Sequence, residues 1–186
     1  MLKMCLCVLT ATAFAAPYGY AQKGAMPEGV NALANNPSQN RISREVRHEL
    51  VMLPYYGVFD NLVYSVNNGV VTLYGQVTQP TLKSDAGNAV KGIEGVSRVD
   101  NKIEVLPLSP MDDQIRRAAY RAIFGEPALS RYAMQAVPPI HIIVDNGKIT
   151  LVGVVATEND KNMAALRANG LSGVFSVNNQ LRVEGK

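Results

Sequence analysis

An internal duplication constrains this sequence more than any other feature. The segment 68–77 (NGVVTLYGQV) reappears at 146–155 (NGKITLVGVV), and the shift of 78 positions then holds without a gap to the end of the chain. Fourteen of the 38 positions from 68 to 105 are identical to their counterparts in the second copy. A repeat of this length is too long for one unit of a solenoid and suits two tandem small domains.

The duplication also predicts how the chain is divided. We place the first domain at residues 41–106 and the second at residues 111–186, with a linker at 107–110 that two prolines make short and stiff. Upstream of the matching segments the shift is 73, so the second copy carries five extra residues between its first helix and its first strand. The extra length lies within 124–139.

Each copy shows the order helix, strand, strand, helix, strand. Ile42, Val46 and Leu50 recur at helical spacing, and alternating apolar residues on both sides of Asn68-Gly69 are typical of a β-hairpin. A second helix that ends near glycine and a third strand follow in both copies. We therefore predict an α+β fold of two α-β-β-α-β units, each a three-stranded sheet with both helices on one face.

Glycines recur at fixed places in this pattern, where they are typical of turns and close approaches. The six that we assign to the fold motif are Gly69, Gly75, Gly95, Gly147, Gly153 and Gly173. Gly75 and Gly153 interrupt the inward apolar row of a strand. This predicts a bulge, or the close approach of a helix to the strand.

The N-terminal segment has the features of a secretory signal peptide. Residues 1–21 contain one positive charge, an apolar run of about 13 residues that is short of a membrane span, and small residues suited to cleavage after Ala15 or Ala21. Residues 22–40 are rich in Asn, Gly, Pro and Ala and are predicted to be a flexible leader. Cys5 and Cys7 both lie in the signal peptide, so we expect a periplasmic protein without disulfides.

The residues that carry chemistry are few. His48 and His141 fall at positions that do not correspond between the copies, and no nucleophile elbow, zinc motif or phosphate loop is present. The formal net charge of +3 is too small to indicate a nucleic-acid partner. We therefore expect a binding protein that is not an enzyme and that uses no cofactor or metal.

The repeated residues resemble those of a known family. In the first copy these are residues 68–77, Ala86, Gly95, Val96, Val99, Asn101 and Val105. In the second copy they are residues 146–155, Ala164, Gly173, Val174, Val177, Asn179 and Val183. The pattern resembles the BON domain, a bacterial module that occurs in tandem pairs in exported envelope proteins, including osmotically inducible periplasmic ones. The resemblance implies phospholipid or envelope-protein partners and a role in envelope integrity or stress tolerance.

The resemblance further implies that lipid is contacted by the first helix of the second domain, here residues 113–124. The candidate residues on it are Arg116, Arg117, Tyr120, Arg121 and Phe124. Arginine can grip phosphate headgroups, and an aromatic ring can lie between headgroups and acyl chains, so this helix is suited to an anionic lipid surface. The alternative is an ordinary solvated amphipathic helix whose aromatic residues pack into the core.

A second candidate surface lies on the sheet faces that the predicted helices do not cover. An antiparallel sheet can leave one face to water, but this one is rather apolar. We call its members the open-face residues: Val63, Tyr74, Ile143, Val152 and Val154. They suggest packing of the two sheets on each other, or a chaperone-like role in binding envelope proteins. A half-exposed sheet with branched residues chosen for strand propensity explains them equally well.

Overall fold

The structure, a computed structural model, describes residues 37–135 and 137–185. The predicted signal peptide at 1–21 and the predicted leader as far as residue 36 lie outside the described residues. The first helix begins at Pro37, a residue whose fixed φ suits the first helical turn. The predicted leader is therefore too long at its C-terminal end, because its last four residues are already helical.

The first copy contains two helices and a small sheet in the predicted order. Its elements are α1 (Pro37–Val51), β1 (Asn61–Asn67), β2 (Val70–Val77), α2 (Pro80–Lys91), β3 (Arg98–Asn101) and β4 (Glu104–Val105). The last two are the halves of the predicted third strand, which is interrupted at Lys102 and Ile103.

The second copy repeats this order with one addition. Its elements are α3 (Pro110–Phe124), a short 3₁₀ helix (Ser130–Met134), β5 (Ile140–Asp145), β6 (Lys148–Val155), α4 (Glu158–Asn169) and β7 (Ser176–Val183). The 3₁₀ helix lies within 124–139, the segment that contains the five extra residues. Among the described residues, no helix is both long enough and apolar enough to cross a bilayer.

Both sheets are mixed, and the expectation of antiparallel sheets is wrong for the third strand. β1 pairs with β2 in antiparallel fashion, whereas β2 pairs with β3 and β4 in parallel, with Val71 opposite Val99. β5, β6 and β7 repeat this arrangement. The physical reason is the intervening helix, which returns the chain to the end of the sheet where the preceding strand began.

Each copy has its own apolar core between the helices and one side of its sheet. Leu73 in β2 and Leu151 in β6 are completely buried at the two centres. Ile115, Ala119 and Ile123 form the buried stripe of α3 over the second sheet. The predicted α+β fold, with two helices on one face of each sheet, is thus confirmed.

Gly75 and Gly153 lie where the neighbouring strand segment comes close, rather than a helix. A Cβ on Gly153 would stand 1.9 Å from the carbonyl oxygen of Pro139, and a Cβ on Gly75 would stand 1.9 Å from that of Asn61. The φ angle is 114° at Gly75 and 133° at Gly153, in a region that residues with a side chain rarely adopt. The predicted close approach is therefore present, but its partner is the chain entering β1 or β5.

An asparagine ties the second helix of each copy to the third strand. Asn101 donates from Nδ2 to the carbonyl of Lys83 at 2.7 Å, and its Oδ1 accepts from the N–H of Ile103 at 3.2 Å. Asn179 makes the same two bonds, to Lys161 and from Leu181, at 2.9 and 3.2 Å. The repeated asparagine is therefore a fold residue, because it satisfies backbone groups of two elements at once.

The connection between α1 and β1 leaves its own copy and joins the two copies. The N–H of Ile142 donates to the carbonyl of Val58 at 2.8 Å, and Val58 and Phe59 pack against the second core. The ring of Tyr56 stacks on His141 with centroids 5.6 Å apart. This connection therefore packs along the outer edge of β5. Both copies belong to one compact unit.

The corresponding connection of the second copy folds over its own core instead. Leu129 is completely buried there, and the hydroxyl of Tyr132 donates to Asp160 at 2.9 Å. Burial acts to raise the pKa of Asp160, but hydrogen bonds from Thr157 and Tyr132 and the charge of Arg131 outweigh it, so the pKa is lowered. The insertion thus supplies a buried anchor for the first turn of α4.

The close approach at Gly153 leads to a test of the hairpin geometry. We expect Gly153→Ala to lower the free energy of unfolding by more than about 1 kcal/mol, because the new Cβ would meet backbone and the φ is unsuitable for alanine. Gly170→Ala is the matched control, since its φ is −77° and its Cβ would make only ordinary contacts. Urea unfolding measures both, and equal effects would contradict the assignment.

The contact at His141 predicts a pH dependence of stability. Burial lowers the pKa of His141. It outweighs the backbone hydrogen bonds with Gly57 and Asp60 and the charge of Asp60, which act to raise the pKa. The unfolded chain then binds a proton at about pH 6.5 while the folded chain does not, so stability is lost as the pH falls below about 6.5. We expect His141→Phe to reduce the difference in unfolding free energy between pH 7.5 and pH 5.5.

The matched control for this prediction is His48→Phe. His48 lies exposed on α1, and its replacement should leave the pH dependence as it is in the unsubstituted protein. A pH dependence that His141→Phe does not change would show that the ring at this contact does not govern acid stability.

Candidate functional site

The start of α3 is held by the turn between β5 and β6. The helix begins after Ser109, whose side chain accepts from the N–H of Asp112 at 3.2 Å. The buried carboxylate of Asp112 then accepts from the N–H groups of Asn146 and Gly147, at 3.0 and 2.8 Å. These bonds fix α3 to the hairpin, so Asp112 acts in the fold rather than in binding.

Arg116 is not on the surface where the sequence placed it. Only 5% of the residue is exposed, and its guanidinium donates to Asp113 at 2.5 Å and to the carbonyl of Val144 at 2.7 Å. It follows Ile115 of the core stripe by one position, and this turns it toward β5. The prediction that Arg116 meets lipid headgroups is therefore corrected, since its charge is already paired and enclosed.

Phe124 is also buried, with 6% of its surface exposed in the second core. Tyr120 lies at the helix surface and is 37% exposed, and the centroid of its ring is 4.9 Å from that of Phe124. Phe59 of the first copy reaches the other side of Tyr120, at 6.3 Å in an edge contact. Tyr120 is thus half covered by the joint between the copies, and Phe124 is unavailable to a membrane.

Arg117 and Arg121 remain accessible and lie together. They are four residues apart on α3, so their side chains leave the helix on one side. Within the described residues neither forms an ion pair. Two neighbouring guanidinium groups without an internal partner are suited to an oxyanion such as a phosphate.

A shallow groove of about 550 Å³ runs along these arginines, and we call it the α3 groove. It is lined by Met111, Gln114, Ile115, Arg117, Ala118, Arg121, Ser172 and Gly173. The last two come from the loop between α4 and β7. The sequence pointed to Arg117 and Arg121, but Met111 and Ser172 were missed as site residues. The signal available for Met111 was an exposed apolar residue in the first helical turn, 66% exposed in the structure.

The open-face residues differ widely in exposure. Ile143 is buried at 5%, whereas Val154 is 37% exposed, and Val63, Tyr74 and Val152 are half-buried. The amine of Lys102 lies 5.7 Å from the centroid of the Tyr74 ring. The hydrogen bond and ring contacts between the copies described above involve the connection between α1 and β1, and none of them uses an open-face residue. A partner for this face remains a prediction.

Known proteins resemble the chain to different extents. The outer membrane lipoprotein DolP of Haemophilus influenzae is 32% identical over 110 residues, which are 59% of this chain and 56% of that protein. The chain thus spans about half the length of DolP in this match. The osmotically-inducible protein Y of Escherichia coli is 26% identical over 195 positions, covering 98% of this chain and 96% of that protein.

Among solved structures, CdsD, a structural protein of the type III secretion system of Chlamydia trachomatis, covers 78% of this chain and 94% of its own. Its sequence identity is 13% and its TM-score is 0.30, so no argument rests on this likeness. The family match is stronger, because residues 33–107 and 112–185 each match the BON domain. The resemblance read from the repeated glycines, valines and asparagines is thus confirmed, and the chain belongs to the BON domain family, with two copies in tandem.

Proposed function

We propose that this protein is a non-enzymatic component of the bacterial cell envelope that attaches to anionic phospholipid surfaces through Arg117 and Arg121. The second copy contacts the membrane, and the first copy stabilises the second copy through the connection between α1 and β1. In this role the protein supports envelope integrity under stress. Its action is reversible adhesion to a surface and involves no covalent step.

One observation carries this proposal. Arg117 and Arg121 are exposed on one side of α3, have no ion-pair partner among the described residues, and line the α3 groove. Each basic side chain near an anionic membrane contributes about 1 kcal/mol to binding. Two of them therefore give a weak attachment that needs no deep pocket, which suits the shallow α3 groove.

The relatives support the envelope setting. One relative is named an outer membrane lipoprotein and the other an osmotically inducible protein, and both are similar to this chain in sequence. An envelope location is also consistent with the predicted signal peptide at residues 1–21. We therefore propose that the protein acts in the periplasm, at a membrane surface.

The proposal predicts the effect of removing the two arginines. We expect Arg117→Ala with Arg121→Ala to weaken binding to vesicles of mixed neutral and anionic phospholipid about 30-fold, because about 2 kcal/mol of attraction is lost. Binding by the unsubstituted protein should also weaken steeply as salt is added. Co-sedimentation with vesicles at several salt concentrations measures both effects.

A matched control is the pair Lys91→Ala and Arg182→Ala. Both residues are exposed, Lys91 at the end of α2 and Arg182 on β7, and their replacement removes the same charge without changing α3 or the turn between β5 and β6. If this control weakens binding as much as the α3 variant does, net charge alone explains the attachment. Arg116 is left intact in these variants, because its replacement would break a buried contact and mix a folding defect with a binding defect.

An alternative proposal is a chaperone-like role in which the open-face residues bind apolar segments of envelope proteins. Of the five, only Val154 exposes more than a third of its surface, so the face offers little apolar area in this conformation. Such binding should depend little on salt. Strong salt dependence in the vesicle experiment therefore favours the lipid proposal.

A further inference from the structure

The most exposed aromatic ring near the α3 groove belongs to Phe175, in the loop between α4 and β7. Phe175 is 82% exposed and follows Ser172 and Gly173, which line the groove. A large apolar side chain in that position costs solubility and gains nothing from the core. Together with a second exposed apolar side chain beside the same basic groove, such a residue is typical of an interaction surface.

The first copy shows that the fold does not need an aromatic residue here. At the shift of 78 the counterpart of Phe175 is Ser97. The N–H of Phe175 donates to the carbonyl of Gly147 at 2.9 Å, and the N–H of Ser97 donates to that of Gly69 at 2.8 Å. The backbone hydrogen bond at this position is thus the same in both copies, and only the second copy has an aromatic side chain there.

Met111 repeats this difference at the opposite wall of the groove. Its counterpart at the shift of 73 is Ser38, whereas the counterpart of Arg117 is Arg44, also a basic residue. Met111 is 66% exposed and lines the groove beside Arg117. The second copy therefore has exposed apolar side chains at two positions where the first copy has serine.

The two apolar residues lie at the same end of the second copy. The ring of Phe175 lies against Gly147, since a Cβ on that glycine would stand 2.5 Å from Cδ2 of the ring. The N–H of Gly147 is bound by the carboxylate of Asp112, the residue after Met111. The hairpin turn thus brings the base of the Phe175 ring and the first turn of α3 to one place.

We propose that Phe175 and Met111 insert into the apolar layer beneath the headgroups while Arg117 and Arg121 hold phosphates above them. This inference rests on the proposed function and adds the depth and orientation of the protein on the membrane. Interfacial binding is strongest when buried apolar area and attraction to anionic headgroups act together. Met111 and both arginines line the α3 groove, and Phe175 lies two residues after Gly173 of its wall, so one membrane surface can engage all four.

The sequence allows a direct test because it contains no tryptophan. Phe175→Trp places a single fluorescent indole at the proposed point of insertion. With vesicles that contain anionic phospholipid, we expect its emission to shift to shorter wavelength and to be quenched by lipids brominated on the acyl chains. The control is Tyr55→Trp, at a residue 79% exposed in the first copy, whose emission should remain that of an indole in water.

The possible outcomes separate the two proposals. If Phe175→Trp sediments with anionic vesicles but its indole stays in water, insertion is overturned and the arginine attachment stands. If the unsubstituted protein sediments with no vesicle, the proposed function fails and the inference fails with it. If the indole at residue 55 is quenched as strongly as that at 175, insertion at this site is likewise rejected.

An affinity measurement provides a second test that does not depend on fluorescence. Phe175→Ser introduces the residue that the first copy already carries, so the fold should tolerate it and the unfolding free energy should be unchanged. We expect its partition onto anionic vesicles to be about tenfold weaker, as partial burial of a phenylalanine implies. Tyr55→Ser should bind like the unsubstituted protein, and equal binding by Phe175→Ser would overturn the inference.

Discussion

The contact between each pair of helices and one side of a three-stranded sheet governs which residues of this protein can meet a partner. In α3, Ile115, Ala119 and Ile123 face the second core, so the opposite side of the helix is left to solvent. Arg117 and Arg121 are accessible for this reason. Arg116 and Phe124, which each follow a residue of the apolar stripe, are buried and therefore act in the fold.

Duplication gave this chain two copies of one fold that carry out different tasks. In the first copy, the connection between α1 and β1 reaches across to β5, and Val58 and Phe59 pack against the other core. In the second copy the same connection is longer and covers its own core through Leu129. Exposed Phe175 and Met111 occur only in the second copy. The first copy thus supports the second, which presents the proposed membrane surface.

Much of the fold could be predicted from periodicity and from the repeat itself. The helical spacing of Ile42, Val46 and Leu50 and the Asn-Gly turns led to the correct order of elements, because local geometry specifies both signals. The parallel third strand was missed, since a strand's own sequence does not say which way it runs beside its neighbour. That direction is decided by the helix that connects the two strands.

The candidate site was predicted only in part, and the errors have a common cause. The sequence placed five residues of α3 on one exposed region, but Arg116 and Phe124 are enclosed, and Tyr120 is half covered. The groups that enclose or cover them are the carbonyl of Val144, the second core and the ring of Phe59. These groups lie far away along the chain, so no helical periodicity could reveal them.

The sequence by itself determined the family, the duplication, the order of helices and strands and the apolar stripe of α3. These follow from spacing along the chain, which every local segment carries within it. The tertiary structure alone decided that the two copies join through Tyr56, Val58 and Phe59, and that Ser172 and Gly173 complete a groove beside Arg117. Such features arise where distant segments pack together, and the physical reason is that exposure depends on those neighbours in space.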